Sequence, residues 1–180
     1  MIEARPLKVL EVKKLASVTG ENINYVINDI LRRAIRGINV NDILVIDKLY
    51  LTFWLRGATY RDSSYAVPFK CNKCQTDSEF HFDIENLNVN YLSDKYDPNT
   101  IHKLEGGDTV AVDFLRIRDE FEMDRFIETN QKVLGEIDEE LLALAAMIKT
   151  INGETKTDLS YKYNYVLGFT PRDLSLLSTY

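Results

Sequence analysis

Residues 45–84 read VIDKLYLTFWLRGATYRDSSYAVPFKCNKCQTDSEFHFDI. An apolar, aromatic run passes through a polar loop into two strand-like segments, which are joined by Cys71-Asn72-Lys73-Cys74. The stretch holds the only Trp and both cysteines of the chain. Asp42 and Asp47 can each cap a helix, because a short carboxylate accepts from the unpaired first N–H groups. Asp47 is the better placed, at the head of Lys48–Arg56. Lys48, Thr52 and Arg56 form a thin polar stripe on that run, and Leu49, Tyr50, Leu51, Phe53, Trp54 and Leu55 fill the rest. A helix apolar over most of its circumference is expected to be buried. Tyr65–Lys70 and Ser78–Ile84 then read as a β-hairpin, with Phe80, Phe82 and Ile84 on one face and Glu79, His81 and Asp83 on the other.

Working outward toward the N-terminus, Pro6 suits the first position of a helix over 6–18, where its missing N–H has no partner to lose. Leu7, Leu10, Val12, Leu15 and Val18 carry that helix. A second helix is expected over 22–36, with Ile23, Val26, Ile27, Ile30, Leu31, Ala34 and Ile35 on one face. Arg32, Arg33 and Arg36 fall at its end, where cations oppose the helix dipole. Toward the C-terminus, 85–98 looks irregular, with Leu87, Val89 and Leu92 pinned to the core. A second hairpin is signalled by 101–104, Gly106-Gly107-Asp108 and 109–117. Arg118–Val133 reads as an amphipathic helix. Asp138 caps another over 139–151, ended by Asn152-Gly153, and 156–163 reads as exposed and polar. Thr170-Pro171-Arg172-Asp173 opens a last helix that runs on toward Tyr180. The expected class is α+β: N-terminal helices, central antiparallel hairpins with a Cys-x-x-Cys turn, and C-terminal helices, in a single domain over 1–180.

The chain has 180 residues, 45% of them apolar, and a net charge of −6. That apolar content can build a core, while the acidic balance opposes a phosphate-binding surface. The charged N-terminus contains no secretory apolar stretch, and the most apolar window is too short to span a bilayer. Two cysteines three apart make no disulfide framework, so a soluble protein of a reducing compartment is expected.

Cys71 and Cys74 are the sharpest chemical signal. Two thiolates at this spacing are half of a tetrahedral zinc site. His81 or His102 could complete it, another chain or residues beyond Tyr180 could, or the pair could be a relic or a plain hairpin turn. A thioredoxin-type motif needs a strand-to-helix setting, and both flanks here read as strands. The carboxylates at 119–124 and 136–140 suit helix starts and solvated faces. No catalytic group can be assembled from two histidines in strand-like segments, so no enzyme activity and no cofactor are expected, zinc apart.

In order along the chain, several segments resemble the T4-type phage baseplate hub subunit and hub-assembly proteins of contractile-tailed phages. Ile2-Glu3-Ala4-Arg5-Pro6-Leu7 resembles that family's entry into its first helix. Asp47–Arg56 resembles its Asp-Leu-Leu-Leu-Arg helix. Cys71-x-x-Cys74 followed by Phe82-Asp83-Ile84-Glu85-Asn86-Leu87-Asn88-Val89 resembles its Cys-pair signature. Leu104-Glu105-Gly106-Gly107 with Leu115-Arg116-Ile117, and Thr170-Pro171-Arg172-Asp173-Leu174, match later features. Arg61-Asp62 departs from the small turn expected there. The resemblance is close over 2–118 and loose over 119–180, which reads as a helical extension packed on that core. It implies a non-enzymatic virion or assembly component that contacts other tail and baseplate hub proteins. The alternatives are a tail-assembly chaperone for the tape-measure protein and a small zinc-dependent adaptor. The implied location is the tail baseplate or the host cytoplasm during assembly, with no nucleic-acid or membrane partner.

Overall fold

A computed structural model describes residues 2–20, 22–62, 64–86 and 89–177. The fold is mixed helix and antiparallel sheet. It divides into two compact units, Met1–Leu92 and Ser93–Tyr180. Residues 93–118 group with the C-terminal helices because the hairpin at 101–112 pairs with a later strand.

In the N-terminal unit, strand β1 (Glu3–Ala4) pairs with β2 (Ile35–Arg36), the continuation of helix α2 (Ile23–Ala34). The second helix thus stops two residues short of its expected end. Ile35 is β-branched and buried, and it adopts extended backbone to pair with Ala4. Helix α1 spans only Val9–Leu15, and Pro6 lies outside it. The Leu7 N–H donates to Thr59 Oγ1 at 2.9 Å, and the Lys8 N–H donates to Glu11 Oε2 at 2.7 Å. These bonds start the helix after Lys8.

Arg5 clips this entry to α2. Its guanidinium donates to both Glu11 oxygens, at 2.7 and 2.9 Å, and to the Arg33 carbonyl at 3.0 Å. The Arg5 hydrogen bonds hold the buried Glu11 carboxyl well below its ordinary 4.5, at about 2. A depressed carboxyl pKa stabilises the fold above the unfolded value and loses that contribution as pH falls through the folded one. Glu11 should therefore contribute on the order of 2 kcal/mol above pH 4.5, lost between 4.5 and about 2. Urea unfolding of the wild type and Glu11→Gln across that window checks this. The two stability curves should differ most at neutral pH and converge in acid; a constant gap would refute it.

Helix α3 spans Val45–Tyr60 and is capped by Leu44, not Asp47. Asp47 stands in the first turn, where its charge still suits the dipole. The helix is not buried all round. Its inward face is Lys48, Thr52, Leu55 and Thr59, and Lys48 Nζ donates to Asn24 Oδ1 at 3.1 Å. Ile46, Leu49, Tyr50 and Trp54 are exposed. Of the polar stripe, Lys48 and Thr52 thus turn inward with Thr59, because Lys48 and Thr59 find polar partners on the N-terminal segments. Around Leu55 gather Leu7, Leu15, Ile27, Ile30 and Leu31.

Strands β3 (Ser64–Lys70) and β4 (Asp77–Asp83) form the expected hairpin, in register from Ser64↔Asp83 to Lys70↔Asp77. Of the expected core pins after it, Val89 and Leu92 are exposed, and Leu87 lies outside the described residues.

The C-terminal unit is built on a four-stranded sheet, ordered β5 (Ile101–Lys103), β6 (Thr109–Val112), β7 (Ile148–Ile151), β8 (Glu154–Thr155). The turn at Gly106-Gly107-Asp108 forms as expected, with Gly107 at φ 93°. The strand after it ends at Val112, and the fully buried Ile117 opens helix α4 (Ile117–Leu134). Asp138 caps helix α5 (Glu139–Met147), accepting from the N–H groups of Glu140 and Leu141. That helix stops before Ile148. Residues 148–151, expected as its last turn, are a strand instead. Ile148, Thr150 and Ile151 are β-branched, and pairing with Val112, Ala111 and Val110 buries both isoleucines.

Asn152-Gly153 is the β7–β8 turn, with φ 52° and 77°. Residues 156–163 are not an exposed loop. Asp158 caps helix α6 (Leu159–Val166), which buries Leu159, Lys162, Tyr163 and Val166. In helix α7 (Pro171–Leu177), the Thr170 N–H donates to Asp173 Oδ2 and the Asp173 N–H returns to Thr170 Oγ1. Leu142, Ala145, Ile148, Val110 and Val166 lie at the centre of this unit's core.

Candidate functional site

Two features of the N-terminal unit stand out. The first is the outward face of α3. Ile46, Leu49, Tyr50 and Trp54 recur at three- and four-residue spacing, so they form one stripe. Tyr50 and Trp54 also line a groove of about 470 Å³ with Ile84, Val89, Arg61, Asp62 and Glu85. Arg61 closes the helix in left-handed conformation, φ 53°, and the Asp62 carboxylate accepts from the Ser64 N–H and hydroxyl. The expected small turn is thus replaced by one held together by a side chain.

An aromatic cluster fixes the base of the hairpin to α3. Phe53 packs edge-on against Tyr65 and Phe82, with centroids 5.0 and 6.0 Å apart, and Tyr65 stacks on Phe82 at 5.2 Å. The Arg56 guanidinium sits 4.0 Å from the Tyr65 ring centre. The Tyr65 hydroxyl donates to the Phe53 carbonyl. Further out on the same hairpin face, Val67, Phe69 and Phe80 are exposed. Both α3 and the hairpin therefore carry exposed apolar side chains.

The second feature is the hairpin tip. The Cys71 N–H donates to the Thr76 carbonyl at 3.0 Å, and the Gln75 N–H donates to the Cys71 carbonyl at 2.8 Å. Gln75 takes φ 58°, which folds the chain back directly after Cys74. Both cysteines are free thiols, with Cys74 the more exposed. Hydrogen bonding from Thr76, chiefly, and Cys71 pulls the Cys74 pKa from 9.0 to about 7. The turn thus brings the two sequence-predicted residues together. It does not bring either histidine to them. His81 lies four residues up β4 from the ladder's last pair and faces Glu79 at 3.4 Å, and His102 lies in the other unit. Among the described residues, no group of three or more His, Cys, Asp or Glu side chains is placed to hold a metal ion.

In the C-terminal unit several charged residues have structural partners. Lys162 Nζ donates to the buried Ile148 carbonyl at 3.1 Å and to the Ala146 carbonyl at 3.5 Å, where α5 passes into β7, and burial lowers its pKa. Asp119 Oδ2 takes the Arg116 N–H at the start of α4, as expected of a carboxylate at a helix start. Tyr165 donates to Asp108, and its pKa is raised, chiefly by burial. Tyr161, Tyr163 and Tyr165 alternate along the chain: Tyr163 is core, while Tyr161 and Tyr165 stack on one helix face.

The stripe residues Ile46, Leu49, Tyr50 and Trp54 were legible as apolar but not as outward-facing. Composition alone does not say which side of an apolar helix meets the core. No helix among the described residues is long and apolar enough to cross a membrane.

The class these features define is a mixed α+β protein that carries apolar surface and a two-thiol turn outward. The chain matches the family model described as T4 bacteriophage base plate protein over residues 1–164, and it belongs to that family. The match runs well past 118, the limit of the close resemblance read from the sequence. No curated protein and no solved structure matches the chain. Membership makes it a T4-type phage baseplate protein, with a structural role among other baseplate proteins of the virion tail.

Proposed function

We propose that this chain is a component of the baseplate hub, or of its assembly, and that it acts by protein–protein contact without catalysing a reaction. The family match over 1–164 carries the reading. The exposed α3 stripe and the apolar face of the hairpin support it, because contiguous exposed apolar surface marks contact sites. The aromatic residues Tyr50 and Trp54 beside a groove are the kind that dominate interface energetics.

Co-expression with the hub proteins of the same phage tests it. A stable complex that survives size-exclusion chromatography is expected. Binding only to the tape-measure protein would assign the chaperone role instead. Monomeric behaviour with every tail protein would overturn the reading.

A further inference from the structure

We propose that the Cys71–Cys74 turn is half of a tetrathiolate zinc centre, completed by the same turn of a second copy of this chain. The turn is already shaped for ligation. The backbone bonds between Cys71 and Thr76 and between Gln75 and Cys71, with the fold-back at Gln75, hold Cys71 and Cys74 in one tight turn on a tip that is otherwise exposed. The Thr76 carbonyl accepts from the Cys71 N–H at 3.0 Å, which holds Thr76 and its donor groups in the same turn as both thiols. Donors of this kind orient and stabilise metal-bound thiolates.

Two thiolates leave zinc two ligands short of its usual four. The missing pair does not come from this chain's described residues, since none adds a third donor at the tip. His81 is held on the strand beside Glu79, roughly 13 Å along the ladder from the tip at ~3.3 Å per residue. An exposed two-thiol tip can instead be completed by ligands of another chain.

A second copy fits on symmetry and on charge. A two-fold axis through the metal brings an identical Cys pair and closes the assembly at two chains. The hairpin is seven residue pairs long, and its outer part carries exposed side chains on both faces, so two tips can meet end to end. Four thiolates on a divalent ion leave a charge of −2. Each tip carries Lys70, Lys73 and Asp77, a sum of +1, so two tips supply +2 against it. The exposed Phe69 lies next to the tip and would lose water in the same contact.

The inference rests on the turn and not on the baseplate reading. It is tested with the metal-free, reduced full-length chain, titrated with zinc and followed by native mass spectrometry and sedimentation. One zinc per two chains is expected, with dimer forming only as zinc is added. Cobalt in place of zinc should give the absorption of a tetrahedral tetrathiolate site. Cys71→Ser and Cys74→Ser should each abolish metal uptake and zinc-dependent dimer while leaving the circular dichroism unchanged. His81→Ala should retain both. Failure to bind, a stoichiometry other than one metal per two chains, or uptake that survives loss of either thiol overturns the proposal.

Discussion

Leu55→Ala is expected to destabilise the N-terminal unit by about 2–5 kcal/mol, the cost of a large-to-small change at a closed site. Leu55 is only 2% exposed, and Leu7, Leu15, Ile27, Ile30 and Leu31 surround it. Three separate segments, 7–15, α2 and α3, meet at that one side chain. Its removal leaves a cavity that cannot close without moving a helix. The only Trp of the chain, Trp54, is next to it in sequence and reports this unit alone. Urea unfolding followed by Trp fluorescence should show the midpoint fall at unchanged slope. A loss under about 1 kcal/mol would mean that Leu55 is not the post on which the unit is packed.

Trp54→Ala, one residue away, is expected to do the opposite. Trp54 is 37% exposed and lies on the outward stripe with Leu49 and Tyr50. Its truncation should change stability by less than about 1 kcal/mol, because it opens no closed cavity. It should weaken capture of a baseplate partner by about 2 kcal/mol or more, roughly 30-fold, as for a central aromatic anchor. Isothermal titration against the partner found by co-expression measures this, with circular dichroism as the folding control. If Trp54→Ala and Tyr50→Ala both bind like the wild type, the α3 face is not the contact.

The contrast between these neighbours shows where sequence reading stops. The helix over Val45–Tyr60 was legible from its composition, but its orientation was not. Lys48 and Thr52 read as part of a polar stripe with Arg56, and Thr59 does not stand out, until Asn24 and the Leu7 N–H are placed against Lys48 and Thr59. Those partners lie 24 and 52 residues away in the chain, so no local pattern announces them. The same limit produced the error at 148–151. Asn152-Gly153 ends a helix as readily as it turns a hairpin, and Ile148–Ile151 is short enough to fit either. A strand became the answer only because Val110–Val112 was available to pair with it. The β-branched run ahead of an Asn-Gly pair was the signal that favoured it. The helix over Leu159–Val166 was missed because its one-sided apolar pattern is sparse and Lys162 is buried rather than solvated.

What the sequence determined by itself is local. Asp138, Thr170-Pro171-Arg172-Asp173, Gly106-Gly107-Asp108 and the Cys71–Cys74 hairpin each act through bonds within a few residues, so they could be read directly. The ordered motifs likewise carried the baseplate resemblance, which the family match bears out. Tertiary structure alone decided which face of α3 is buried, where the chain divides, and that the thiols stand at the tip without a third ligand from the described residues. Those outcomes depend on long-range pairing and on competition for buried surface. Such competition is settled by the whole set of contacts at once, not by any segment's own preference.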